Sequence, residues 1–212
     1  MFSRPLDDAR VQDITDLADV GKGTFFNFFS AKELVIPEVA RERVRQLRQW
    51  VDQVKAGHLS SREALNQYVQ PNRKLTPSDW HNYYGSFIRS MAHDERVRSS
   101  MSDLLGEQEQ LVRHLVALGQ QKGEFRADRD ASALAIYLLH AFLGLQLTAW
   151  IAGAGIDPED LAANARLTFD LLLCPPSTPA RPGKVVRPPI PSSQRPKSAH
   201  RERKRRGRDG SH

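Results

Sequence analysis

Cysteine is almost absent from these 212 residues: Cys174 stands alone, so no disulfide can form within the chain. No basic segment followed by an apolar run and a small-residue cleavage site opens the sequence, and the expected compartment is reducing and cytoplasmic. Strand-like alternation bounded by hairpin turns is also missing. Through residues 1–174 the hydrophobic positions recur at spacings of three and four, which predicts an all-α fold with enough chain to bury a core without staples. Acidic residues are scarce in one segment only. Residues 175–212 hold 11 of the 31 Lys+Arg and 2 of the 25 Asp+Glu, so this tail is +9 and the rest of the chain is −3. The tail also has 8 of the 13 prolines, no aromatic residue and five hydrophobic ones, too little apolar surface to offset the entropy of ordering it. It is expected to be disordered.

Catalytic signatures are lacking as well. The histidines 58, 81, 93, 114 and 140 form no His-Glu-x-x-His pattern and have no cysteine partner. No glycine-rich phosphate loop and no Gly-x-Ser-x-Gly elbow occurs. The expectation is a protein that is not an enzyme and holds neither metal nor cofactor.

Helix starts are marked instead. Ser30-Ala31-Lys32-Glu33 and Ser60-Ser61-Arg62-Glu63 read as capping boxes, Thr76-Pro77-Ser78-Asp79 resembles one, and Asp157-Pro158-Glu159-Asp160 sets a cap, a proline and two acids in sequence. Helices should begin near 31, 61, 77 and 158. Glu95–Gln121 is amphipathic and closes at Lys122-Gly123; Ala131–Ala152 is very apolar and closes at Gly153 and Gly155. Residues 131–156 carry no formal charge and are long enough to span a bilayer. Three glycines, His140, Gln146 and Thr148 favour a helix packed on all sides by other helices, and no membrane partner is expected. Pro37, about seven residues into a helix capped by Ser30, should kink it; a hinge and a static kink are both open readings.

The most informative stretch is 11–36. Val11, Ile14, Leu17 and Ala18 give a short helix one apolar stripe, Val20-Gly21 turns the chain, and a second helix of about two turns starts at 21 or 22. Two short helices joined by such a turn make a helix-turn-helix, whose second helix enters the DNA major groove. Four of the nine phenylalanines, at 25, 26, 28 and 29, fall in five residues, more than one face of a short helix buries. About two should lie inward and two outward.

With its Gly23-Thr24-Phe25-Phe26-Asn27-Phe28-Phe29 run before Ser30, Lys32 and Glu33, this stretch resembles the DNA-binding signature of TetR-family transcriptional regulators. The resemblance implies that Lys22, Gly23 and Thr24 open the recognition helix at the DNA and that Asn27 faces the groove. Phe28 stands where the family often has tyrosine, and Lys32 would touch a phosphate. A glycine permits close backbone approach and an asparagine amide can pair with a base edge. The resemblance also implies a helix of about five turns before Val11; residues 1–10, with a proline and two adjacent acids, cannot make it, and the true start is expected upstream.

Beyond residue 40, Lys122–Asp128, the apolar helix and a last helix ending in Leu171-Leu172-Leu173 are similar in order to the family's ligand-binding and dimerisation lobe. The expected organisation is a helix-turn-helix domain over 1–46, a helical lobe over 47–174 and the tail. A cavity should take rings from Trp80, Tyr83, Tyr84, Phe87, Met91, Tyr137, His140 and Phe142, since pockets between bundled helices are apolar with a few polar handles. The partners implied are operator DNA, a small apolar ligand of unknown identity and a second copy of the chain, paired through helices at 131–152 and 158–173. The function implied is a repressor released by that ligand. An all-α interaction protein with a degenerate helix-turn-helix is the alternative. For the run Arg201–Arg208, with six bases in eight residues, contact with DNA phosphates and a solvated tail are both open.

Overall fold

The computed structural model describes residues 6–70, 76–153 and 157–174, which build eight α-helices and no strand. The tail, with its expected disorder and its basic run, lies outside the described residues. In chain order the helices are α1 (Val11–Leu17), α2 (Lys22–Phe28), α3 (Val35–Lys55), α4 (Ser61–Val69), α5 (Pro77–His93), α6 (Glu95–Gln121), α7 (Ala131–Ala152) and α8 (Pro158–Leu173). Short 3-10 turns at Leu6–Asp8 and Lys32–Leu34 precede α1 and α3.

Side-chain caps set most of these starts. Ser60 Oγ accepts from Glu63 N–H while Glu63 reaches back to Ser60, and Thr76 and Asp79 repeat the pattern with Pro77 at the first helical position. Asp94, Asp130 and Asp157 cap α6, α7 and α8. Glycines end two of the long helices: Gly57 and Gly123 take positive φ, and the Glu124 N–H reaches the Gly119 carbonyl at 2.8 Å, closing the last turn of α6.

The first predicted box is not formed. Ala31, without a side-chain cap, leads into the 3-10 turn at 32–34, and the α-helix proper starts at Val35. Pro37 therefore lies in the first turn of α3, where the missing N–H has no intrahelical acceptor to lose. That removes the reason to expect a kink there.

α6 is the central helix, packed against α3, α4, α5 and α7, and α8 closes the lobe against α7 and α4. Leu47 and Val54 of α3, Leu65 of α4, Leu115 and Val116 of α6 and Leu138 of α7 are essentially sealed from solvent. Phe125, after the turn at Gly123, folds back over α6 so closely that a Cβ on Gly119 would lie 2.1 Å from its ring. The proposed division at 46/47 falls inside α3, so one unbroken helix belongs to both ends of the molecule.

α7 departs from the expectation of burial on all sides. Leu134, Ala135, Leu138, Leu139 and Ala149 are buried, whereas Tyr137, Leu147 and Ile151 are 61%, 41% and 71% exposed. At about 100° per residue, 135, 138, 142, 146 and 149 share one face and 137, 140, 144, 147, 148 and 151 the opposite one. This second face is open and carries Tyr137, Leu147 and Ile151 together with His140 and Thr148. Leu145, by contrast, packs against the core.

Candidate nucleic-acid interface and ligand cavity

At the helix-turn-helix, α1 and α2 pack against each other through little buried surface: Thr15 in α1 and Phe25 in α2 are their buried residues. The expected apolar stripe of α1 is not covered. Leu17 is 67% exposed, and Val11 and Ile14 are half-buried. The turn between the helices is made by Asp19, which takes a φ of 52°, while Gly21 has an ordinary extended conformation as the residue before α2. Aspartate tolerates this left-handed geometry better than most residues, so a glycine is not needed for it.

The phenylalanine cluster divides as its number requires. Phe25 is buried and meets the half-buried Phe29 at 5.2 Å between ring centroids, whereas Phe26 and Phe28 are 54% and 78% exposed. Lys22, Gly23, Thr24 and Asn27 are exposed alongside Phe28. Five of the six residues assigned to DNA contact by resemblance therefore lie on the solvent side of α2, whose other side carries Phe25.

Lys32 is placed differently. Its ammonium donates to the carbonyls of Leu6 and Ala9 at 3.1 and 3.0 Å, so it closes the first 3-10 turn from below instead of standing on the exposed face. The Leu6 N–H in turn donates to Ser86 Oγ of α5 at 2.9 Å, and Leu6 is buried there. A second tie comes from α6. Arg96 donates to Ser30 Oγ at 3.4 Å and is held by Asp94, whose carboxyl is pushed down to about 2, chiefly by the hydrogen bond from Arg96. The sequence carried no signal for either tie, because both join segments more than 60 residues apart.

The lobe carries an open-mouthed cavity of about 740 Å³ between α3, α4, α5, α6, α7 and α8, a volume within the range of small-molecule pockets. Trp80, Tyr83, Tyr84, Phe87 and Phe142 line it as expected. Trp80 stacks on Tyr84 with centroids 5.3 Å apart, and Phe142 meets Tyr68 at 5.3 Å. Burial pushes the Tyr83 hydroxyl up to about 12 and also raises Tyr68, so both remain neutral hydrogen-bonding groups.

Three expected lining residues are elsewhere. Tyr137 and His140 lie on the outward face of α7, about half a turn from Phe142, and Met91 packs against the core one turn beyond Phe87. Sequence reasoning missed the polar handles: Arg43 and Gln46 from α3, Tyr68 from α4, Gln108 from α6 and Gln146 from α7. Gln108 donates to the Tyr68 hydroxyl at 2.5 Å. A half-buried arginine on an otherwise amphipathic helix was the available clue, but arginines are common on α3 and only packing singles out this one. Among the described residues no cluster of three or more His, Cys, Asp or Glu could hold a metal ion.

No family model matches the chain. It is 27% identical over 145 residues, 67% of its own length and 67% of the relative's, to the HTH-type transcriptional repressor KstR2 of Rhodococcus jostii. Among solved structures, the regulatory protein TetR from Rhodobacter sphaeroides superimposes with a TM-score of 0.60 at 20% identity, covering 81% of this chain and 92% of that one. Thermus thermophilus FadR, a TetR-family repressor in complex with lauroyl-CoA, gives 0.54 at 18%, covering 84% and 91%. The fold is that of TetR-family regulators.

Proposed function

We propose that the chain is a DNA-binding transcriptional repressor, with α2 as the recognition helix and the lobe cavity as the sensor. The observation that carries this reading is the pairing of exposed Lys22, Thr24 and Asn27 on α2 with a cavity lined in part by α3. Lys22, Gly23, Thr24 and Asn27 present a cation, a free backbone approach, a hydroxyl and an amide, the groups that meet phosphates and base edges. Phe28 would lie against the sugar-phosphate backbone. Lys32 acts one step back, holding the residues before α1.

The open face of α7 supports a homodimer, because Tyr137, Leu147 and Ile151 form an apolar strip along its outward side and Leu171 of α8 is 73% exposed. Two copies joined there would present two α2 helices to successive major grooves about 34 Å apart. A ligand that binds more tightly when the two copies are splayed releases the DNA; equal affinity for both arrangements would change nothing. α3 offers a direct route, since Val35 and Ile36 pack near the DNA end and Val39, Ala40 and Val44 line the cavity. The similarity to a named repressor agrees with this direction of control. Action on DNA in the cytoplasm is part of the same proposal.

The test is a gel shift with the region upstream of the protein's own coding sequence. Wild type should give a discrete complex, and Asn27→Ala should change preference among mutated sites. Lys22→Ala should weaken all sites together and lower the salt slope by about one. Ile151→Arg should give a monomer by sedimentation that no longer binds. A wild-type protein that shows no sequence preference at any salt concentration would overturn the reading.

A further inference from the structure

The cavity wall contains one charge that the protein leaves without a counter-charge. Arg43 is half-buried, and among the described residues its acceptors are all neutral: the carbonyls of Gln67, Tyr68 and Gln70, and Gln46 Oε1 at 3.5 Å. The three carbonyls share a single terminal nitrogen of the guanidinium. The Nε–H has no acceptor among the described residues, and the other terminal nitrogen has only the long contact to Gln46. The plane of the group lies near the rings of Trp50 and Tyr68, with Cζ 5.7 and 5.8 Å from their centroids, which fixes its orientation. Glu42, the carboxylate at the cavity, is engaged elsewhere, by Arg45 at 3.0 Å and Gln46 at 3.2 Å.

Placing an ionised guanidinium in a partly desolvated wall is unfavourable unless something negative meets it. The carbonyls ending α4 offset part of that cost, through the negative end of its dipole. One uncompensated positive charge calls for one negative charge, and the remaining N–H groups, on Nε and the other terminal nitrogen, are left to donate to it singly. The same wall carries Phe87, Leu104, Phe142 and Leu143, beside the polar Gln46, Gln108 and Gln146.

We infer that the cavity takes an amphipathic monoanion, an apolar body bearing one carboxylate, with Arg43 as its counter-charge. This rests on the sensor reading of the cavity given above. It makes the ligand's head group a contact of α3, the helix that continues to the DNA-binding end.

The experiment compares two fluorescent probes of nearly the same apolar body on the full chain: anionic 8-anilinonaphthalene-1-sulfonate and neutral N-phenyl-1-naphthylamine. Wild type should bind the anion more tightly by about tenfold, the scale of one charge-assisted contact. Arg43→Gln should collapse that gap while leaving the neutral probe within about twofold. Because Arg43 also holds the end of α4, Gln46→Glu is the second variant: it keeps the arginine in place and supplies an internal carboxylate, and it too should close the gap. Dodecanoate should displace the anionic probe from wild type better than dodecyl phosphate does. A gap that survives both substitutions, equal binding of both probes to wild type, or stronger displacement by the phosphate overturns the inference and leaves the sensor cavity standing. Binding of neither probe overturns the cavity reading together with it.

Discussion

The two ends of this molecule are stabilised in different ways. The lobe is a closed core in which Leu47, Val54, Leu115 and Leu138 are sealed from solvent by neighbours on other helices. The helix-turn-helix has two seven-residue helices with one buried residue each, and leaves Leu17, Val20, Phe26 and Phe28 largely in water. Helices that short do not persist alone, so this end depends on what it is tied to. Among the described residues its ties include Lys32 on the carbonyls of residues 6 and 9, Leu6 N–H on Ser86 with the Leu6 side chain buried beside it, and Arg96 on Ser30. The lobe holds most of the buried core, and the helix-turn-helix is held in place by contacts that a small movement of α5 or α6 can change.

The largest test of that division is Leu47→Ala. It removes a fully buried side chain from the helix both ends share and should cost about 2–5 kcal/mol in chemical denaturation. Both ends should unfold together; survival of helix-turn-helix protection after the lobe has melted would break the comparison. Gly119→Ala comes next. The added methyl would meet a ring that cannot swing aside without leaving the core, at a cost of about 1–3 kcal/mol within the lobe alone.

Lys32→Ala should cost about 1 kcal/mol and be confined to the other end. Hydrogen exchange should quicken over residues 6–30 while the global denaturation midpoint stays in place. DNA affinity should fall with an unchanged salt slope, because the ammonium engages peptide oxygens; a slope lowered by about one would return Lys32 to the phosphates.

The smallest effect is a pH dependence at the Arg96 tie. The Asp94 carboxyl is depressed to about 2, so its contribution is present above the ordinary carboxylate value of about 3.9 and is lost as pH falls toward 2. Amide exchange at the start of α6 should therefore rise between those values, with little change in overall stability because the pair is exposed. An identical profile in Arg96→Gln would show that the tie contributes nothing.

Much of the lobe could be read from local chemistry. The boxes at Ser60 and Thr76, the cap at Asp157 and the glycine after Lys122 act within four residues of themselves, and the helices they bound are the ones observed. The box at Ser30 failed because the chain there turns through a 3-10 segment and Ser30 meets Arg96 instead. The cavity rings on α5 were legible as a dense aromatic cluster, Trp80, Tyr83, Tyr84 and Phe87, although density alone does not say which face turns inward and Met91, expected with them, packs against the core. Those proposed from α7 were not, because a helix apolar on every side carries no periodic signal to say which face turns inward.

By itself, then, the sequence determined the helical class, most helix ends and the position of the exposed helix α2, since caps, glycines and spacing are properties of neighbouring residues. Only the tertiary structure decided which face of α7 is covered, that Lys32 turns toward residues 6 and 9, and that Arg43 alone among the arginines of α3 enters the cavity wall. Each of these depends on contacts between residues tens of positions apart, and the free energy of such a contact is fixed by packing that no local pattern encodes.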